Sequence, residues 1–195
     1  MANVRITVCA IAVCCLSALP LAAQSPSQTG EHPQDLYGWR NARWAMSEHE
    51  VKTTVRGRWR AATKEEREDE RDLYVPFVLQ DIELGGTKFI GLFGFSKTDR
   101  RLVAITLHSG IPLIKTAGAT ALFNRLLDDE QKQLGVPRKI IRNNSGHTGF
   151  YADYAVWRFP STVVELTCVR PNDSERAVTL SYAVPSEADK QDRSR

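Results

Sequence analysis

The sequence predicts an α+β fold: an antiparallel sheet of about six strands with two helices, a pseudo-repeat of helix plus three-stranded meander. Three observations lead there. A capping-box signal at Ser47 opens one helix, and an apolar stripe from Ala119 to Leu134 marks a second. After each helix the apolar period shortens to two, in short runs separated by turn residues. A helix with a single apolar stripe needs a sheet face to cover, which sets both helices on the inner side of the strands.

The chain begins with export signals. Arg5 supplies a positive start, Ile6 to Leu21 an apolar run, and Leu21-Ala22-Ala23 a small-residue exit, so residues 1–23 read as a signal peptide cleaved near Ala23. The run is about sixteen residues, short of the ~20 a membrane span needs. Val13 before Cys14, and the depth of Cys14 and Cys15 in the run, argue against a lipid-modified cysteine. Residues 24–36 lack periodicity and read as a flexible tether, rich in Ser, Gln and Pro.

A folded domain is expected over residues 37–184, in halves 37–110 and 111–184, followed by a disordered charged tail over 185–195. Trp39 and Trp44 flank the first helix and are large enough to anchor it to a sheet. Ser47 is its N-cap, Glu50 returns the bond, and Met46 and Val51 have the spacing of a hydrophobic staple. The helix is expected to run to about Arg56 and stop at Gly57. The block Thr63 to Asp72 carries three basic and six acidic side chains, an exposed helix or a loop, and its like-charge runs weaken the helix.

From Leu73 the period is two. Val75, Phe77 and Leu79 alternate, then the phase slips to Ile82 and Leu84, which predicts a bulge near Gln80-Asp81. Pro76 cannot donate to a ladder, so this strand is expected at an edge. Gly85-Gly86 signals a hairpin. Phe89, Phe93 and Phe95 share one face of the next strand, with Ile90 and Leu92 on the other, and Val103, Ile105 and Leu107 form a third.

The second helix buries Ala119, Leu122, Phe123, Leu126, Leu127 and Leu134. Thr116 is its expected cap, Gly135 its left-handed terminator, Val136 a residue folding back on the last turn, and Pro137 a stop. Arg138 to Gly149 reads as a polar connector, and strands follow at Tyr154 to Phe159, Val163 to Val169 and Val178 to Val184.

The run Trp44-Ala-Met46-Ser47-x-x-Glu50-Val51, with a Leu-rich helix ending Gly135-x-Pro137, resembles uncharacterised bacterial exported proteins that open on WGM(S/T)xxEV. Ala45 departs from their usual Gly. The resemblance, over roughly residues 37–184, extends loosely to outer-membrane assembly lipoproteins of the SmpA/OmlA type and to β-lactamase inhibitory protein. It implies tandem helix-plus-sheet units and an envelope location, and it carries over no catalytic residue.

Charge and cysteine bound the chemistry. The formal charge is +3, and loss of Arg5 with the signal leaves +2, with no clustered basic and aromatic surface for nucleic acid. Cys9, Cys14 and Cys15 leave with the signal, so Cys168 alone remains and no intrachain disulfide is expected; its alternation with Val164 and Leu166 marks it as a core residue. His32, His49, His108 and His147 are scattered without metal-ligand spacing, so no metal or other cofactor is expected. Gly86 to Gly91 lacks the Gly-Lys-Ser/Thr of a phosphate loop. Ser145 and His147 lie in one turn, better explained by loop geometry than by catalysis, and His108 can face Asp81 or Glu83 across the meander.

The expected function is therefore an exported, periplasmic or secreted, non-enzymatic module that binds a protein or envelope component, without nucleic acid and without a membrane span after signal cleavage. Trp59, Tyr74, Phe150 and Tyr151 are the candidate partner surface, with Tyr154 beside them, because these aromatic types are enriched at interfaces. Two rivals stand: a small hydrolase using His147 or His108, and a self-associating structural envelope protein.

Overall fold

The computed structural model describes residues 35–69, 72–109, 114–142, 151–169 and 175–186. In chain order its elements are β1 (Gly38–Trp39), β2 (Ala42–Arg43), α1 (Glu48–Thr54), β3 (Arg58–Ala61), α2 (Lys64–Asp69), β4 (Phe77–Leu84), β5 (Thr87–Phe95) and β6 (Leu102–His108). There follow β7 (Ile114–Lys115), α3 (Thr116–Leu134), β8 (Lys139–Arg142), β9 (Tyr151–Arg158), β10 (Val163–Val169) and β11 (Glu175–Ala183). The expected signal peptide, most of the tether and residues 187–195 of the tail lie outside the described residues.

The fold is α+β with antiparallel strands, but the main sheet has eight strands rather than about six, in the order β3-β4-β5-β6-β11-β10-β9-β8. β7 adds a two-residue pairing to the start of β11, and β1 and β2 form a separate ribbon. The two additional strands are the two edges. Arg58-Trp59-Arg60-Ala61 and Lys139-Ile140-Ile141-Arg142 are four residues each and largely solvent-facing, so neither shows the apolar alternation that marks a half-buried strand. Charged residues on edge strands also block unwanted pairing between molecules.

The repeat is accordingly a helix plus four strands, α1-β3-β4-β5-β6 and α3-β8-β9-β10-β11. The two units meet through their last strands, with Thr106 of β6 opposite Ser181 of β11. This corrects the edge assignment of Pro76. It stands one residue before β4, whose outer neighbour is β3 with Ala61 opposite Phe77, and its carbonyl accepts from the Ala62 amide at 3.2 Å.

Local signals decide the remaining boundaries. The capping box at α1 forms: the Glu50 carboxylate accepts from the Ser47 amide at 2.7 Å, while the Ser47 hydroxyl accepts from the Glu50 amide at 3.4 Å. The helix closes two residues before the expected end, with Val55 extended and buried as its C-cap. α2 is a third, six-residue helix inside the charge block, and it has its own capping box: Glu66 accepts from the Thr63 amide at 2.9 Å and donates its amide to the Thr63 hydroxyl at 3.3 Å.

The β4 bulge falls where the phase slip places it, between Leu79 and Ile82, with Asp81 at φ 55°. Gly85 and Gly86 both have positive φ, 53° and 72°, as a tight primed turn requires.

At α3 the cap position is Lys115, without a side-chain cap bond, so Thr116 is the first helical residue instead of the cap. Gly135 ends the helix at φ 81°, and its amide donates to the Gln131 carbonyl at 2.9 Å. Val136 does not fold back; it is 75% exposed. The Trp157 indole donates to the Gly135 carbonyl at 2.7 Å and Pro137 is buried, which leaves Val136 outside.

One core joins the halves. Val51 and Val55 of α1, the α3 stripe, Phe77, Phe93, Phe95, Leu107, Trp157, Leu166, Cys168 and Leu180 form a single cluster on the inner face. Burial of Leu122, Phe123, Leu126 and Leu127 alone contributes roughly 6–12 kcal/mol before entropy is subtracted. Val78 and Leu92 alternate with those inward residues and so point the other way. There they pack with Ala62, Val75, Leu73 and Ile90 in a small second cluster, whose Ala62 and Leu73 flank α2 in sequence.

Candidate functional site

Because both long-range apolar faces of the helices close on one side, the opposite face of β6, β11, β10 and β9 carries no described helix. The register sets its side chains in rows. One row runs Ile90, His108, Thr179, Thr167, Tyr154, Ile141 from β5 to β8. The next runs Leu92, Thr106, Ser181, Glu165, Val156, Lys139. Between the apolar ends Ile90, Leu92, Val156 and Ile141, the polar members of the rows alternate with core residues along their strands, for example Thr167 between Leu166 and Cys168.

Within these rows the Tyr154 hydroxyl donates to the Glu165 carboxylate at 2.7 Å. The Thr179 hydroxyl lies 3.4 Å from Nδ1 of His108, and the Ser181 hydroxyl reaches the Glu165 carbonyl at 3.5 Å. The result is a half-buried floor of hydroxyls with a carboxylate, an imidazole and a phenol. It offers hydrogen-bond donors and acceptors at the strand spacing of about 4.7–4.9 Å. Its wall at the β5 end is apolar, made by Leu73 and Ile90.

The predicted surface residues separate. Trp59 faces the core, its ring edge-on to Phe77 and Phe93 with centroids 4.9 Å away in each case, and its indole donates to the Val55 carbonyl at 3.2 Å. Tyr74 bridges to Phe95 and lies under the Arg100 guanidinium, 3.5 Å from its ring centroid. Phe150, Ser145 and His147 lie outside the described residues, as does the side chain of Tyr151, whose backbone belongs to β9. Among the described side chains of that group, Tyr154 is the one on the open face.

His108 sits on the floor between Ile90 and Thr179, while Asp81 is held by Arg58 at 2.8 Å and Lys88 at 3.4 Å. A carboxylate–imidazole pair of His108 with Asp81 is therefore not the arrangement found. Among the described residues no three His, Cys, Asp or Glu side chains converge as metal ligands would, and no described helix is long and apolar enough to cross a membrane. The floor residues Thr106, Thr167, Thr179, Ser181 and Glu165 were not singled out from sequence. Their signal is the polar half of the alternation, visible once the apolar half is assigned.

Two further polar clusters lie on the core side. Asp35 accepts from the Ser161 amide at 2.8 Å and from its hydroxyl at 2.7 Å, the Thr162 hydroxyl donates to the Leu36 carbonyl, and the Trp44 indole donates to the Thr162 hydroxyl at 2.8 Å. Partial burial pushes the Asp35 carboxyl up, but the Ser161 hydrogen bonds outweigh it and hold it below its ordinary value. This strap ties the start of the domain to the turn between β9 and β10.

The second cluster is Glu130 of α3 with Tyr182 of β11. The Tyr182 hydroxyl donates to Glu130 at 3.3 Å, and the carboxyl is only 6% exposed. Burial pushes Glu130 up to about 7, a rise that the Tyr182 hydrogen bond opposes and Asp129 reinforces. Burial also raises the Tyr182 phenol well above its ordinary value. No family model, no curated protein and no solved structure matches the chain.

Proposed function

We propose that the chain is an exported, non-enzymatic module that binds a protein or another component of the cell envelope, with the open face of the sheet as its binding floor. The observation that carries this reading is the continuous hydroxyl-rich floor of Thr106, Ser181, Thr167, Thr179, Glu165 and Tyr154 opposite a predominantly apolar core face. A surface of this kind supplies many directed, modest hydrogen bonds and no reactive centre, which suits recognition more than bond-breaking. The apolar run Ile6 to Leu21 supports export, and the helix-plus-four-strand repeat supports the likeness to small envelope α/β-repeat modules.

Site-specific photo-cross-linking tests the reading. A photoreactive residue at Thr167 or Ser181 is expected to give a discrete adduct in cells that disappears with Glu165→Lys, while the same residue at the exposed Asp128 of α3 gives none. Equal, unspecific labelling at all three positions would overturn it. An adduct made only of two copies of the chain would replace it by self-association.

A further inference from the structure

A buried acid and an unpaired base are connected through two rings. Glu130 lies on the α3 stripe between Leu126 and Leu134 and is 6% exposed, with the Tyr182 hydroxyl donating to it at 3.3 Å. Tyr182 also packs on Trp39, ring centroids 6.5 Å apart, and the Arg40 guanidinium rests on that indole, 4.4 Å from its centroid. Arg40 is exposed and has no carboxylate partner among the described residues. Its backbone is held at φ 52°, a left-handed conformation uncommon outside glycine, in the turn between β1 and β2. Its charge already reaches the Tyr182 phenol, where it acts against the rise that burial causes.

The groups around the carboxyl leave Arg40 as the cation available to it. The inner-face row through Tyr182 reads Phe93, Ile105, Tyr182, Val164 and Trp157 from β5 to β9, without a further charge. Asp153 of β9 lies opposite Cys168, two inward positions along β10 from Val164, and Arg142 of β8 is held by Asn124 in the first half of α3. Lys115 stands before the first turn of that helix. Asp129, beside Glu130 on α3, adds a like charge that opposes ionisation.

We infer that Arg40 and Glu130 form a proton-operated latch: when Glu130 gives its proton to water, the Arg40 guanidinium leaves the Trp39 ring and pairs with the carboxylate beside Tyr182, fastening the β1–β2 ribbon to α3. While the carboxyl is neutral it offers Arg40 no charge, and the face of Trp39 holds the guanidinium. Once ionised, a carboxylate in apolar surroundings needs either a cation or water. Water enters only by lifting α3, which uncovers Leu126, Leu127 and Leu134. Arg40 has one ring to leave, and its planar fork meets a carboxylate in two parallel bonds. The Tyr182 phenol, raised well above its ordinary value by burial, keeps its proton and stays a donor to the carboxylate. Burial brings the Glu130 titration to about 7, so the latch operates around neutrality.

The test follows glutamate Cδ and arginine Nε by NMR in the labelled chain between pH 5 and 9. The Arg40 Nε signal is expected to move with the same midpoint as the Glu130 carboxyl, and Glu130→Gln is expected to remove that movement, which separates it from titration of the histidines. Arg40→Gln, a change at an exposed position, is expected to raise the Glu130 midpoint by about one pH unit, while Arg40→Lys keeps most of the parent value. The β1–β2 amides, compared at each pH with those of Glu130→Gln, are expected to exchange more slowly above the midpoint. An unchanged Glu130 midpoint in Arg40→Gln, or an Arg40 signal indifferent to the Glu130 titration, would overturn the inference. Faster exchange across Leu126 to Leu134 above the midpoint would overturn it as well, by showing that water under α3 meets the carboxylate instead.

Discussion

Glu130 occupies a position on the α3 stripe, four residues after Leu126 and four before Leu134, where every neighbour of its kind is apolar. The groups facing it are Tyr182 from β11 and its own neighbour Asp129, with Arg40 acting on the phenol from the β1–β2 turn. The folded chain keeps the Glu130 proton to about pH 7, whereas the ordinary value is 4.5. Between those limits the folded state binds more protons than the unfolded one, so this group's contribution to stability falls as pH rises and is lowest above 7. At 1.36 kcal/mol per pH unit the interval amounts to about 3 kcal/mol. Urea unfolding of the chain and of Glu130→Gln between pH 4 and 8 should diverge by that order, with the Gln variant gaining relative to the parent as pH rises. Parallel curves would place the carboxylate in water.

A second residue-scale expectation concerns Phe93, fully buried between Trp59, Phe77 and Trp39. Phe93→Ala should cost about 3–5 kcal/mol in chemical denaturation, as deletion of a buried ring does. The Phe93 position was legible, because it follows the alternation of β5. The Glu130 anomaly was equally visible as a charge on an apolar stripe, but stripe reading counts the residues that fit and passes over the one that does not.

At the scale of elements, the readable pieces were those whose local chemistry and burial agree. The Ser47–Glu50 box, the bulge at Asp81, the Gly85-Gly86 turn, the α3 stripe and the full span of β10 all have a signal within a few residues. The edges β3 and β8 were not readable as strands, because their ladder partners come from distant sequence and their side chains are mostly wet. α2 was hidden for a related reason. Six residues are too few for a self-supporting helix, and this one is held by the Thr63–Glu66 box and by Arg60 from β3. The Arg60 guanidinium, then the Thr63 amide, holds the Glu66 carboxyl below its ordinary value despite partial burial. Glu66→Ala should therefore release α2 alone: amide exchange over Lys64 to Glu68 should accelerate while the β4–β6 amides keep their protection. If both regions accelerated together, α2 would be part of the cooperative core.

For the whole molecule, the decisive feature is that the halves 37–110 and 111–184 share one inner cluster and are zipped along β6 and β11. Heat or urea should remove the structure in one transition, coincident by tryptophan fluorescence and far-ultraviolet circular dichroism. The fragment 37–110 by itself should be largely unfolded, since β6 would lose its neighbour and the inner face its α3 cover. Two separated transitions would mean that each half folds independently. The sequence announced two halves through the repeat of helix and strands, yet could not announce their fusion, which depends on contacts between residues about seventy positions apart, such as Leu107 with Leu180.

The strand at the centre of the sheet, β11, is also the last of the described strands in chain order. Until Glu175 to Ala183 has left the ribosome, β6 and β10 each wait with a naked ladder in the middle of the molecule. A nascent chain in that interval is a template for its neighbours on the same messenger. Lengthening the interval, by rare codons placed after Val169, should lower the yield of dispersed protein without altering a single residue of it.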